Sequence, residues 1–145
     1  MMKTHPMIAA YHQLPEPARL VCTAILGAGI GWVTYEIIYR LNPLRASRAT
    51  TSWAVAFLIG VARQHGLHRT LTFTQHSPYW PSLGRAYLFY SVSAVLGAGL
   101  NYTLTVRAGL HHRLAWAACL LLTASISVLF LKRLVFGTLK GDIDT

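Results

Sequence analysis

Ala62-Arg63-Gln64-His65-Gly66-Leu67-His68-Arg69-Thr70-Leu71-Thr72-Phe73 is the stretch on which the fold turns, because a long apolar run ends in it and becomes basic. From Trp53 to Val61 every residue is apolar or small, so Arg63 is the first charge that the run meets. A guanidinium in hydrocarbon is costly and must snorkel to an interface, pair with an acid or bind a ligand. Cations closing an apolar run are how a membrane span meets lipid headgroups.

Composition fixes the class. The 145-residue chain is 54% hydrophobic and only 12% charged, whereas about a quarter of the residues in a soluble domain carry charge. The chain is therefore expected in a membrane. Its 13 Lys+Arg against 4 Asp+Glu are dispersed between apolar runs, which places them at helix ends facing anionic headgroups rather than in a nucleic-acid-binding stripe. No nucleic-acid partner is expected. Cys22 and Cys119 lie inside apolar runs and read as packing residues without a redox or metal signature.

Outward from the opening stretch, the predicted fold is an all-α membrane protein. Residues 1–17 form a polar lead-in, 18–137 a four-helix transmembrane domain and 138–145 a polar tail, with spans predicted at about 20–39, 48–68, 85–106 and 113–132. The first apolar run has spanning length and is read as an uncleaved span rather than a signal peptide. Asn42-Pro43 breaks the chain after it. Trp53 is placed at the outer interface, and Thr70 to Leu83, with Tyr79-Trp80-Pro81, is read as an interfacial connector.

Inside the spans a few residues stand out. Gly27 and Gly31, four apart on one helical face, predict a groove for close helix packing, and Gly97 sits in a matching Leu-Gly-Ala-Gly run. Asn101 needs a hydrogen bond across to another helix. Glu36, the one acidic residue in any span, is either functional or the partner of Arg40 at i+4 or of Arg107. His111 and His112 are adjacent and point to different sides of a helix, so no shared metal is expected.

The two halves repeat. Leu26-Gly27-Ala28-Gly29-Ile30 recurs 70 residues later as Leu96-Gly97-Ala98-Gly99-Leu100, and Arg69 to Phe73 is echoed 63 residues later by Lys132-Arg133-Leu134-Val135-Phe136. Two-span units enter the membrane from the same side, so the four transmembrane helices are predicted as a parallel tandem repeat of two-helix units. The side holding both termini and the middle loop carries Lys3, Arg19, Arg63, Arg69, Arg85, Lys132, Arg133 and Lys140, eight cations against five opposite. The positive-inside rule then places both termini in the cytoplasm.

These features together resemble the GtrA-like family of small four-span membrane proteins, over roughly residues 19–137. In that family the ends of the second and fourth spans read Asn, one or two basic residues, an aromatic, a small residue and Phe. Arg69, Thr72 and Phe73 match in the first copy, Lys132, Val135 and Phe136 in the second, and Leu100-Asn101 matches a third-span Leu-Asn. His68 and Leu131 replace the Asn, and Leu71 and Leu134 stand where an aromatic is common.

The resemblance implies translocation of a polyprenyl-phosphate-linked sugar across the cytoplasmic membrane for cell-surface polysaccharide synthesis. The basic residues suit that substrate, because Arg offers a planar fork of donors to a phosphodiester and Lys a point charge. Arg63, Arg69, His68, Lys132, Arg133 and Arg85 are the candidate phosphate-binding residues at headgroup depth, and Asn101 and Glu36 line a candidate polar seam. The bland reading of the cations is ordinary contact with bulk lipid. No nucleophile, base and oxyanion set exists, so no enzyme and no catalytic residue are expected, and neither a cofactor nor a phosphate-cradling nucleotide loop is expected. Four spans hardly enclose a sugar pathway, so a homo-oligomer is expected. Two rival readings are a non-transporting anchor for a glycosyltransferase partner and a small proton-coupled exporter using Glu36.

Overall fold

The computed structural model describes residues 10–72 and 78–137, with the side chains of the last helix described as far as Ser127. Among the described residues the regular structure is all helical. It comprises α1 (Glu16–Leu41), α2 (Arg48–Leu67) prolonged by a π-helical stretch (His68–Thr72), α3 (Tyr79–Tyr102) prolonged by a second one (Thr103–Arg107), and α4 (His112–Gly137). Glu16–Leu41 and Tyr79–Arg107 are each long and apolar enough to cross a membrane. In α2 the residues Thr50, Thr51, Ser52, Arg63, Gln64 and His65 dilute the apolar content, and this helix packs between α1 and α3.

Local chemistry explains the helix ends. Helix α1 starts ahead of the predicted span because Pro17 falls in its first turn, where a missing N–H costs nothing, and Glu16 complements the positive end of the helix dipole. It stops at Asn42, since Pro43 cannot continue it. The Asn42 side chain then ties α1 to α2: Nδ2 reaches the Arg48 carbonyl at 3.2 Å, Thr51 Oγ1 at 2.7 Å and Ser52 Oγ at 2.9 Å. These bonds hold the two helices antiparallel.

The predicted connector from Thr70 to Leu83 is corrected at both ends. Thr70 to Thr72 continue α2 as π helix, and Tyr79 and Trp80 open α3, whose first turn tolerates Pro81 for the same reason that α1 tolerates Pro17.

Burial departs from that of a soluble bundle in two ways. Thr23, Ser52, Thr72, Ser93, Asn101 and Thr123 are buried, while Val21, Ile25, Val33, Leu88, Val92 and Leu121 are exposed. Water would drive those apolar side chains inward; hydrocarbon reverses the preference, because polar groups then find partners only in one another.

The apolar core is small and lies toward the Asn42 end, where Tyr35, Trp53, Ala56 and Cys119 meet. Trp53 faces the other helices. It is 4% exposed, and its ring lies so close over Gly97 that a Cβ there would overlap it. A glycine at 97 thus provides the space for an indole, and Cys119 Sγ caps the Gly97 carbonyl at 3.4 Å.

Candidate functional site

The end of α2 places its polar side chains on two faces. Positions 63, 64, 68 and 72 look toward α1, and 65 and 69 toward α3, as the three- and four-residue spacing of a helix requires.

On the α1 face, Arg63 turns inward. Its guanidinium does not snorkel toward the nearby helix end; it turns toward the middle of α1. There Nη2 donates to the Gly27 carbonyl at 3.1 Å and Nη1 to Thr34 Oγ1 at 3.4 Å. Nη2 lies 3.1 Å from where a Gly31 Cβ would be, and Nε is buried without a partner. No ion pair to Arg63 forms among the described residues. The Gly27/Gly31 groove is therefore filled by side chains, Gln64 over Gly27 and Arg63 over Gly31, with Trp116 of α4 reaching its edge, rather than by a close-packed second backbone. The groove was legible from the glycine spacing, but its occupants were not.

Below Arg63 runs a chain of hydrogen bonds. Gln64 Nε2 lies 2.8 Å from His68 Nε2, and His68 Nδ1 lies 3.1 Å from Thr72 Oγ1, which donates to Thr23 Oγ1 at 3.1 Å. Thr23 Oγ1 lies 2.9 Å from the Tyr11 hydroxyl, which donates to the Arg19 carbonyl at 2.7 Å. The pattern is consistent with a neutral His68 that accepts at Nε2 and donates from Nδ1, the tautomer being assigned from its partners. Thr23, Thr72 and Tyr11 were not expected in a site. Small hydroxyl residues in an apolar run were the available signal.

The predicted basic cluster is divided. Arg69 lies over the Tyr79 ring, 5.9 Å from its centroid, and His65 Nε2 is 3.0 Å from Ser82 Oγ, so both face α3. Arg85 is exposed near the start of α3. Arg63 and His68 thus share the α1 face, apart from His65 and Arg69. Lys132 and Arg133 belong to α4, but their side chains lie outside the described residues.

Asn101 is fully buried and finds its cross-helix partner, with Thr50 Oγ1 donating to Oδ1 at 3.2 Å. Glu36 is paired, though not with Arg107. Arg113 from the first turn of α4 grips it with Nε to Oε1 at 3.0 Å and Nη2 to Oε2 at 3.2 Å, and Arg40 adds a weaker contact at 3.9 Å. Trp32, Val33, Glu36, Ile37, Arg40 and Arg113 line a cavity of about 350 Å³ there. His112 stacks on Tyr39 with centroids 3.8 Å apart, and Nδ1 lies 3.2 Å from the Tyr35 hydroxyl. Burial, reinforced by the neighbouring His111, holds the His112 imidazole below the usual histidine range.

Comparison with known proteins adds no relative: no family model matches the chain, and neither a curated protein nor a solved structure matches it.

Proposed function

We propose that this chain is a multi-pass protein of the cytoplasmic membrane, GtrA-like in organisation, that translocates a polyprenyl-phosphate-linked sugar for cell-surface polysaccharide synthesis. The observation that carries the reading is Arg63, a cation in the middle of the helix assembly with two hydrogen bonds, a buried partnerless Nε and no carboxylate beside it among the described residues. A charge at that depth costs several kcal/mol, and a transient anionic partner is the economical reason to keep it.

Four features support the setting. The apolar exterior and hydroxyl-rich interior suit hydrocarbon. The buried pairs Thr23/Ser93 and Gly27/Gly97, each 70 residues apart, support a tandem repeat of two-helix units. The cation excess near Arg69 and Arg85 supports cytoplasmic termini. The hydroxyl chain beneath Arg63 is buried and satisfied within the helices, so it supports the helix packing beside the proposed site. Enclosing a path for the sugar calls for a homo-oligomer or a glycosyltransferase partner.

A proton-coupled exporter of cations fits less well, since Arg113 and Arg40 already neutralise Glu36. The deciding experiment reconstitutes the chain in liposomes with a labelled polyprenyl-phosphate sugar and follows its accessibility to an impermeant reagent. Acceleration over empty liposomes that disappears in Arg63→Met supports the reading; no acceleration from folded protein overturns it.

A further inference from the structure

A second cationic feature lies at the opposite end of the helices from Arg69. The end of α1, the start of α2, the end of the α3 extension and the start of α4 converge there around a cavity of about 190 Å³. Its charged lining is Arg45, Arg48 and His112, with no acidic residue in the wall. Glu36, the one acid at this end of the helices among the described residues, is already held by Arg113 and Arg40.

The wall is ordered by its own contacts. Arg48 Nε donates to the Asn42 carbonyl at 2.8 Å, which fixes the guanidinium plane and leaves its terminal nitrogens available. That guanidinium lies 5.5 Å from the Tyr39 centroid, and His112 stacks on the same ring. Tyr39 thus places two cationic or potentially cationic groups at fixed positions beside the cavity. Arg45 is exposed on the loop before α2, and Ser47 makes no capping hydrogen bond, so its hydroxyl is an additional donor. The volume equals about six waters in liquid terms, which accommodates one phosphoryl group with part of its hydration shell.

From this geometry we infer that the cavity bounded by Tyr39, Arg45, Arg48 and His112 is an anion site for a phosphoryl group. Arg48 serves as the fixed fork, Arg45 closes from the rim and His112 adds an imidazole donor. The inference is independent of transport, because a phosphoryl group at this surface can belong to a lipid headgroup or to a free phosphate. Diffuse attraction by surface cations is the competing explanation, and the test separates the two.

The full chain, in nanodiscs of uncharged lipid, is titrated with inorganic phosphate by calorimetry. Saturable binding that Arg45→Ala weakens about tenfold, and that Arg45→Lys partly restores, is the expected result. Arg107→Ala removes an equal charge from the same end without touching the cavity and leaves the affinity unchanged. Arg45 is exposed and makes no hydrogen bond among the described residues, so its variants should fold. Repeating the titration with phosphatidic acid in the nanodisc identifies the source: competition assigns a headgroup and its absence a free ion, and both retain the site. Unsaturable binding, or equal weakening by Arg45→Ala and Arg107→Ala, overturns it.

Discussion

Replacing Arg63 by Met should make the protein more stable and inactive at once. Methionine preserves most of the length and the apolar stem of arginine while deleting the charge and its donors. An arginine at the centre of a membrane helix costs about 2.5–3.5 kcal/mol on insertion scales, an upper bound for Arg63, which lies near the end of α2. Against that stand two interhelical hydrogen bonds, one at 3.1 Å and one long at 3.4 Å. Such bonds in a bilayer return on average about 0.6 kcal/mol each. The Gly27 carbonyl lies inside α1 and keeps its helical hydrogen bond when the guanidinium leaves. The balance favours methionine by at most about 2 kcal/mol. Reversible unfolding in mixed micelles measures the stability, and the liposome assay measures translocation on the same preparation. If Arg63→Met loses more than about 1 kcal/mol, the guanidinium is a structural element and the hydrogen-bond ledger is wrong. If the variant is stabilised but still translocates, the assignment of Arg63 to the substrate fails.

Other outcomes follow from the same geometry. Gly97→Ala drives a methyl into the buried Trp53 ring, and overpacking of this kind should lower unfolding stability by about 1–3 kcal/mol. Glu36→Gln leaves Arg113 without its bidentate partner and, because the pair is exposed, should cost no more than about 1 kcal/mol in the same assay, yet translocation should survive, whereas a proton-coupled exporter would lose it. His112, just before the predicted fourth span, faces Tyr35, Glu36 and Tyr39 on α1 and Arg48 on α2, beside His111 and Arg113 on its own segment. Its lowered value means that the folded protein prefers the neutral ring, so this contribution is complete above about pH 6.5 and is lost as pH falls through the folded value. The melting temperature should therefore drop more between neutral and mildly acidic pH in the wild type than in His112→Gln.

The sequence by itself determined that the chain is helical and apolar, where α1 ends, that Asn101 needs a partner and that Gly27, Gly31 and Gly97 accept something close. These are consequences of composition, of proline geometry and of three- or four-residue spacing, all of which are local. Tertiary structure decided the partners. A glycine face accepts a backbone, an indole or a guanidinium equally well on paper, and only the placement of α2 between α1 and α3 gave Gly97 to Trp53 and Gly31 to Arg63. Glu36 had an arginine at i+4 in sequence, but Arg113 holds it from a helix that begins 76 positions later, at His112. The direction of the Arg63 side chain was likewise undetermined. Spacing shows which face a residue occupies, but whether a long side chain reaches the interface or the interior depends on which carbonyls and hydroxyls its neighbours present.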